Sequence, residues 1–257
     1  MRLRTAWRAA SLGSALLICV LRWWSLRLLG PVKPEARARW MHFAGRLALA
    51  FLGVRLRVVG VPPKRGLVVS NHLSYLDIVI CSAAMPCSFV SKAEIAGWPF
   101  FGMLAGFGGN LFLDRTSRAS ARQVAIQIGE RLQLASPILL FPEGTSTDGS
   151  GILPFYATLY EPAIQAGAPI TAAAVRYIPN DGEPERELCW FGNDPFLPHL
   201  WKALGAGDFT AEVRFGEQKQ YDDRRTAAAA TRAEVELLRG AAGIPAMYDI
   251  AAISSRN

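Results

Sequence analysis

The chain is poor in the residues and motifs that mark most classes of enzyme site. Only three histidines occur among its 257 residues, and the four cysteines form neither a CxxC pair nor a spacing typical of metal ligands. It has no GxSxG segment, which disfavours a lipase-type covalent intermediate. The glycine-rich run at 100–109 fails the dinucleotide pattern because position 111 is Leu. We therefore expect no metal and no cofactor. The thiols of Cys19, Cys81, Cys87 and Cys189 should be reduced and mostly buried, in a protein of the cytosolic compartment.

Acidic residues are nearly missing from the first 57 residues, which hold eleven Lys or Arg and the single acid Glu35. The rest of the chain holds seventeen basic and twenty acidic residues, so the excess positive charge belongs to the N-terminal part. Its arginines alternate with apolar residues and with Trp7, Trp23, Trp24 and Trp40. This composition is typical of helices that lie in a membrane interface. We expect an anionic lipid bilayer as a partner, and no nucleic acid.

A long hydrophobic run is also lacking. The uncharged stretch Ala9–Leu21 has thirteen residues, whereas a transmembrane helix needs about 20. A signal peptide would explain the basic start, but Arg22 and two tryptophans follow without a small-residue cleavage site. We expect an interfacial or re-entrant helix, then a break at Gly30-Pro31 and a second helix over 35–52. Residues 1–53 would thus form a membrane-anchoring pair of helices before a domain at 54–257; the alternative is that the pair caps that domain.

From Val54 onward, apolar runs of strand length alternate with helical patterns. This alternation predicts an α/β fold with a mixed, largely parallel sheet flanked by helices. The predicted strands lie at 54–58, 67–69, 88–91, 110–113, 137–141, 169–175, 187–191 and 210–215. The predicted helices lie at 75–84, 120–134, 155–166 and 222–239.

A histidine and an aspartate follow the second of these strands. His72 comes just after the apolar run Leu67–Val69, and Asp77 lies five residues further on, in the first turn of the predicted helix. The ends of strands are where open α/β sheets place their ligand sites. A carboxylate that holds an imidazole makes it a general base, because it fixes the tautomer and stabilises the imidazolium. We therefore expect His72 and Asp77 to form a catalytic pair.

Four sequence blocks resemble those of the glycerolipid acyltransferases of the lysophosphatidic acid acyltransferase (PlsC) type. Asn71-His72 with Asp77 matches the NHxxxxD block, and Phe141–Ser146 is similar to the FPEGT block. Gly109–Arg115 resembles the second block, and Ala168–Ile170 resembles the start of the fourth. The resemblance covers residues 55–215. It implies a glycerol-3-phosphate acyltransferase-like sheet behind a two-helix anchor, on the cytoplasmic face of a bacterial inner membrane.

The resemblance also implies an activity and a set of substrate-binding residues. A fatty acyl group would pass from acyl-CoA or acyl carrier protein to the free hydroxyl of a lysophospholipid. The first candidate is 1-acylglycerol-3-phosphate, which would give phosphatidic acid. His72 would be the base and Asp77 its partner. The residues implied to bind substrate are Asn71, Arg115, Glu143, Gly144, Thr145 and Ser146. For Glu143 a purely structural carboxylate is the alternative, and for Arg115 a surface ion pair with Asp114.

Two departures from the family pattern leave the acceptor open. Ser146 stands where the family often has Arg, and the fourth block lacks its second proline after Ile170. The loss of a cation weakens the case for a phosphate monoester, and the string FPEGTSTDG resembles the branch that acylates lyso-ornithine lipid. From another class, the chain could be an inactive membrane-lipid-binding protein. The presence of His72, Asp77 and FPEGT together argues against that alternative.

Overall fold

Strands alternate with helices from residue 55 onward in the computed structural model, which describes residues 2–98, 100–114, 116–134 and 136–240. The strands are β1 (Arg55–Val59), β2 (Leu67–Ser70), β3 (Ser88–Lys92), β4 (Leu111–Leu113), β5 (Ile138–Leu140), β6 (Ile170–Pro179) and β7 (Phe209–Lys219). The helices are α1 (Arg2–Leu28), α2 (Pro34–Leu52), α3 (Leu76–Ala84), α4 (Phe101–Phe107), α5 (Arg118–Leu132), α6 (Glu161–Gln165), α7 (Phe196–Gly205) and α8 (Arg224–Gly240).

Within these described residues the seven strands form one sheet, in the order β1-β7-β6-β2-β5-β3-β4. The five strands from β6 to β4 are parallel, and β7 joins them antiparallel, with β1 parallel to β7. The prediction of a mixed, largely parallel sheet is therefore confirmed. Because β2 and β5 are parallel neighbours, their carboxyl ends meet at one edge of the sheet, where His72 and Glu143 follow.

The two faces of the sheet bury two separate hydrophobic clusters. Every residue of β2 and β5 is buried, as expected for parallel strands covered by helices on both sides. One face packs against α2 and α3, through side chains such as Trp40 and Ile80. The other face packs against α5 and α8, through Val124 and Val235. The four cysteines are free and buried, as predicted.

Three parts of the fold differ from the sequence-based prediction. The strand predicted at 187–191 is wrong, because residues Glu185–Leu188 form a 3-10 turn that runs into a loop. The helix predicted at 155–166 is reduced to a 3-10 turn and α6. Helices α4 and α7 were not predicted. The sequence of α4 is rich in glycine, and Pro195 and Pro198 give α7 the sequence pattern of a loop. Proline is tolerated in the first turn of a helix, where its missing N–H has no partner to lose.

Helix α1 is unbroken over 27 residues, and the uncharged run is only its middle. In the part of the chain that the structure describes, it is the one helix long and apolar enough to cross a membrane. The helix is thus longer than the thirteen-residue run indicated, and the expected interfacial or re-entrant placement stays a prediction. Arg8, at the start of that run, turns inward, where it donates to the carbonyl oxygen of Ala206 at 2.8 Å and pairs with Asp208 at 2.7 Å.

Contacts near both ends hold α1 along the side of the domain. Arg8 fixes its first turns to the segment after α7, and the ring of Trp23 stacks on Phe107 with centroids 4.5 Å apart. Between them, the carbonyl of Cys19 accepts a hydrogen bond from the ring nitrogen of Trp40 at 3.0 Å. The span from Arg8 to Trp23 is about 22 Å of helix. Helix α1 therefore lies against the body over most of its length.

Helix α2 approaches α3 closely. A Cβ atom on Gly45 would lie 2.8 Å from the backbone nitrogen of Ala83 and 2.8 Å from the carbonyl oxygen of Val79, so only glycine fits there. Gly53 ends α2 with a φ of 68°, which glycine adopts without strain. These contacts agree with the alternative that the N-terminal helices cap the domain that follows them. The boundary between residues 53 and 54 stays a prediction.

Candidate active site

His72 and Asp77 face each other across the turn between β2 and α3. The Nδ1 atom of His72 lies 2.7 Å from Oδ2 of Asp77, and Asp77 sits in the first turn of α3, as the sequence predicts. The aspartate is fully buried, whereas the histidine side chain is 19% exposed. The imidazole also stacks on the ring of Phe141, with centroids 4.1 Å apart. The pair is therefore rigid, and one edge of the imidazole remains accessible.

The hydrogen bonds to Asp77 determine the tautomer of His72. Its Oδ2 also accepts the backbone N–H groups of Leu73, at 2.6 Å, and Ser74, at 3.0 Å. An oxygen with these donors acts as an acceptor, so we infer that the proton of the imidazole lies on Nδ1. The Nε2 atom then carries a lone pair and has no hydrogen-bond partner among the described residues. This is the arrangement that a general base requires.

Tyr177, on β6, is a site residue that the sequence analysis missed. Its hydroxyl donates to the other carboxylate oxygen of Asp77, and its side chain is almost fully buried. Burial raises the pKa of the Tyr177 hydroxyl well above its usual value, and the nearby Asp77 charge raises it further. The hydroxyl therefore stays protonated and remains a donor. Alternation along β6 groups Tyr177 with Val175, but no sequence signal assigns that face of the strand to the site.

Glu143 follows β5 and contacts backbone groups on both sides. One carboxylate oxygen accepts the N–H of His72 at 2.8 Å, and the other accepts the N–H of Leu153 at 2.8 Å. Burial raises the pKa of Glu143, although the two N–H donors oppose that effect. Its contacts thus join the His72 turn to the loop after FPEGT, as the structural alternative expects. Binding of the acceptor by Glu143 stays a prediction.

Asn71 also makes its contacts inside the protein. The residue is fully buried, and its side-chain amide donates to the carbonyl of Val175 at 3.1 Å and accepts the N–H of Val175 at 2.8 Å. The arrangement ties the end of β2 to β6 and thereby sets the position of the next residue, His72. The predicted binding of substrate by Asn71 stays a prediction.

The remaining predicted residues lie in or near the loop after β5. Gly144 has a φ of 75°, which allows the sharp turn after Glu143. Thr145 is exposed and Ser146 is half-buried. The loop is also tied to the histidine, because the Thr147 N–H donates to the carbonyl of His72 at 2.9 Å. Arg115 lies outside the described residues, so its predicted place at this edge is untested.

An apolar cavity of about 190 Å³ lies beside the site, between the N-terminal helices and the domain. Its wall includes Leu12 and Leu16 of α1, Met41 of α2, and Tyr75, which comes three residues after His72. A second cavity of about 90 Å³ shares Leu12 and Tyr75 with it. The space thus reaches the start of α3 at Tyr75 and is closed on one side by α1. A cavity of this lining suits a hydrocarbon chain.

The sequence of residues 55–176 matches the family model described as Acyltransferase. The lyso-ornithine lipid O-acyltransferase of Rhodobacter capsulatus is 38% identical over 199 residues, which cover 74% of this chain and 72% of that protein. The 1-acyl-sn-glycerol-3-phosphate acyltransferase of Neisseria meningitidis serogroup B is 37% identical over 187 residues, which cover 71% of this chain and 72% of that protein.

The fold has a counterpart of similar size among solved structures. The 1-acyl-sn-glycerophosphate acyltransferase PlsC of Thermotoga maritima superposes with a TM-score of 0.67 over 93% of each chain, at 18% sequence identity. This likeness extends the shared fold to the N-terminal helices. Because the motifs, the sheet and the sequence relatives agree, the chain belongs to the acyltransferase family that contains the 1-acylglycerol-3-phosphate and lyso-ornithine lipid enzymes, and it is an O-acyltransferase.

Proposed function

We propose that the protein transfers a fatty acyl group from a thioester donor to the free hydroxyl of a lysolipid, with His72 as the general base. Nε2 of His72 removes the hydroxyl proton while the oxygen attacks the thioester carbonyl. The tetrahedral intermediate then expels the thiolate, which takes the proton back from the imidazolium. Asp77 stabilises the imidazolium between these steps. The observation that carries the proposal is the buried, multiply hydrogen-bonded carboxylate of Asp77, 2.7 Å from Nδ1.

The donor of the acyl group is acyl-CoA or acyl carrier protein. Both are thioesters and are consumed as substrates. The apolar cavities beside Tyr75 support a site for the hydrocarbon chain, because their walls are almost entirely carbon and they approach the turn that carries His72. The headpiece of the donor would remain outside, towards the loop at 144–147.

For the acceptor, the first candidate is 1-acylglycerol-3-phosphate. The Neisseria relative is named for this substrate, and a guanidinium at Arg115 would suit a phosphate. The second candidate is lyso-ornithine lipid. It is favoured by Ser146, which puts a neutral side chain where the family often has a cation, and by the name of the Rhodobacter relative.

The membrane association that we propose is interfacial. Arg8 and Trp23 hold α1 against the body near both ends, so the helix would have to break those contacts to cross a bilayer. Its outer side carries Trp7 and Leu21, exposed by 73% and 61%. Such a surface suits the headgroup region of an anionic leaflet. The site is assigned to the cytoplasmic face of a bacterial inner membrane, where both thioester donors occur.

The test is acyl transfer by the detergent-purified protein and its His72→Ala variant. Each is given lysophosphatidic acid and lyso-ornithine lipid, with both acyl-CoA and acyl carrier protein as donors. Loss of the base should lower kcat by about 10²–10⁴-fold, whereas His42→Ala, a change at a histidine of α2, should leave transfer largely intact. Full activity of His72→Ala would refute the mechanism. Activity with only one acceptor would identify the head group.

The alternative of an inactive lipid-binding protein makes a different prediction. It expects vesicle binding that is unchanged by His72→Ala and no turnover of any donor by the unmodified chain. The same preparations therefore decide between the two functions, provided that thermal unfolding shows the variant to be folded.

A further inference from the structure

Four large apolar side chains lie exposed outside the N-terminal helices, on α7 and beside α4. Leu197 and Trp201 of α7 are 71% and 60% exposed, and Phe100 and Met103 are 68% and 41% exposed. We call these four residues the α7–α4 patch. Single exposed apolar residues are ordinary, but grouped ones mark an interaction surface.

Helix α7 has a wide apolar face, and only part of it packs on the protein. The inward part buries His199 and Leu204, and Phe196 packs against the ring of Tyr75 with centroids 5.0 Å apart. Leu197 and Trp201 are one helical turn apart and continue this face past Leu204 into solvent. An apolar face that extends beyond the packed surface favours a second apolar environment.

The patch is continuous with the surface of α1. The ring of Phe196 lies 5.3 Å from that of Phe101, which joins α7 to α4. At its other end, α7 is joined to α1, because Arg8 donates to the carbonyl groups of Leu204 and Ala206. The three helices thus surround the apolar cavities, whose walls contain residues from each of them. The three helices therefore adjoin one another around these cavities.

The charges of this surface suit anionic lipid. The segments of α1, α4 and α7 contain no Asp or Glu, and α1 carries Arg22 and Arg27 at exposed positions. Arg8 is not part of this charge because it pairs with Asp208, and Lys202 of α7 pairs with Glu187 at 2.6 Å. A surface meant for water would carry both signs of charge. Phe100 adds a strained backbone, with a φ of 62°, that presents its ring to the outside. Strain of this kind persists at functional positions, where another interaction offsets it.

We propose that the α7–α4 patch inserts into the same lipid leaflet as α1, so that the catalytic domain has a membrane contact of its own. This inference rests on the proposed membrane association, but not on the identity of donor or acceptor. The leaflet then lies against the rim of the cavity, and a lipid chain can enter it without crossing water.

The test places a polarity-sensitive fluorophore at single engineered cysteines in the full-length protein. The sites are Leu197→Cys and Trp201→Cys in the patch, Leu21→Cys on α1 as the anchor reference, and Leu237→Cys on α8 as the matched control. Leu237 is 73% exposed, almost equal to Leu197, but lies on the opposite face of the sheet. The unmodified chain, whose four cysteines are buried, gives the labelling background. Each protein is mixed with vesicles of phosphatidylcholine and phosphatidylglycerol in equal amounts, with or without a quencher on the lipid acyl chain.

With vesicles present, we expect the fluorescence emission of the labels at 197, 201 and 21 to shift to shorter wavelength. The lipid-borne quencher should quench these three labels several-fold more than the label at 237. Leu197→Ser should weaken vesicle binding by about tenfold, and Leu237→Ser should leave it unchanged. Quenching at 21 but not at 197 or 201 would overturn the inference while leaving the proposed membrane association intact. A blue shift at 197 that depends on protein concentration and needs no vesicles would overturn it in favour of a contact between two copies of the chain. No quenching at any site would refute the membrane association itself.

Discussion

Replacement of Tyr177 by Phe tests whether β6 positions the carboxylate of the catalytic pair. Within the described residues, Asp77 Oδ2 accepts three donors and Oδ1 accepts the hydroxyl of Tyr177. The substitution removes that hydroxyl and keeps the ring. It leaves a buried, charged oxygen without this donor, which costs about 1–3 kcal/mol of folding stability.

The same loss should lower catalysis in part. The carboxylate of Asp77 loses one of the contacts that fix its position against the imidazole of His72. The value of kcat/KM should therefore fall, but less than tenfold, because the bond from Nδ1 to Asp77 and the two backbone donors still orient the ring.

Tyr160→Phe is the matched control for this experiment. Tyr160 is also fully buried, and its hydroxyl bonds to the side chain of Thr231 at 2.8 Å, away from the catalytic turn. It should lose about 0.5–1.5 kcal/mol of stability and keep the kcat/KM of the unmodified enzyme. The assay is initial-rate acyl transfer, with urea unfolding measured alongside. An equal kcat/KM for Tyr177→Phe and Tyr160→Phe would refute the reasoning.

Two further predictions concern packing and acid stability. Gly45→Ala should destabilise the protein by about 1–3 kcal/mol in urea unfolding, because the new Cβ atom would meet α3. The control Gly13→Ala, at a position with open space around it, should be neutral or stabilising by up to about 1 kcal/mol. Equal losses of stability in the two variants would contradict the close packing of α2 on α3. Burial lowers the pKa of His199, so between that value and its ordinary value of 6.5 the unfolded chain binds more protons than the folded one. The contribution of neutral His199 to folding stability is therefore complete above about pH 6.5 and is lost as the pH falls. In the variant His199→Gln, the free energy of unfolding should change less between about pH 7 and 5 than in the unmodified protein. An unchanged dependence of that free energy on pH would exclude this histidine as the cause.

The catalytic pair could be predicted from the sequence because its members are close along the chain. An apolar run that ends at His72 predicts a strand end, and the helix that starts before Asp77 brings the carboxylate back to the imidazole. The same local logic predicted β5 and hence the position of Glu143. Parallel pairing of β2 and β5 then brings His72 and Glu143 within hydrogen-bond distance.

The rest of the site depends on contacts between distant parts of the chain, which a periodic pattern does not encode. Tyr177 lies two residues beyond the predicted strand at 169–175, and only the order of the strands shows that this side of β6 meets Asp77. The inward turn of Arg8 was hidden for the same reason, because its partner Asp208 is 200 residues away. That contact places the N-terminal end of α1 against the domain, which the composition of the helix does not indicate.

Strand β6, whose sequence resembles the family only at its start, is the element that fixes the base. Its Val175 holds Asn71 through both backbone groups, and its Tyr177 holds Asp77, so β6 contacts the residues on either side of the catalytic turn. The strand is in turn held by Arg239 of α8, which donates to the carbonyl of Val175 at 2.6 Å and pairs with Glu185 at 2.7 Å. Glu185 also accepts the backbone N–H of Tyr177 at 2.8 Å. The geometry of His72 therefore depends on residues well beyond the family blocks, and substitutions in α8 should reach the active site through β6.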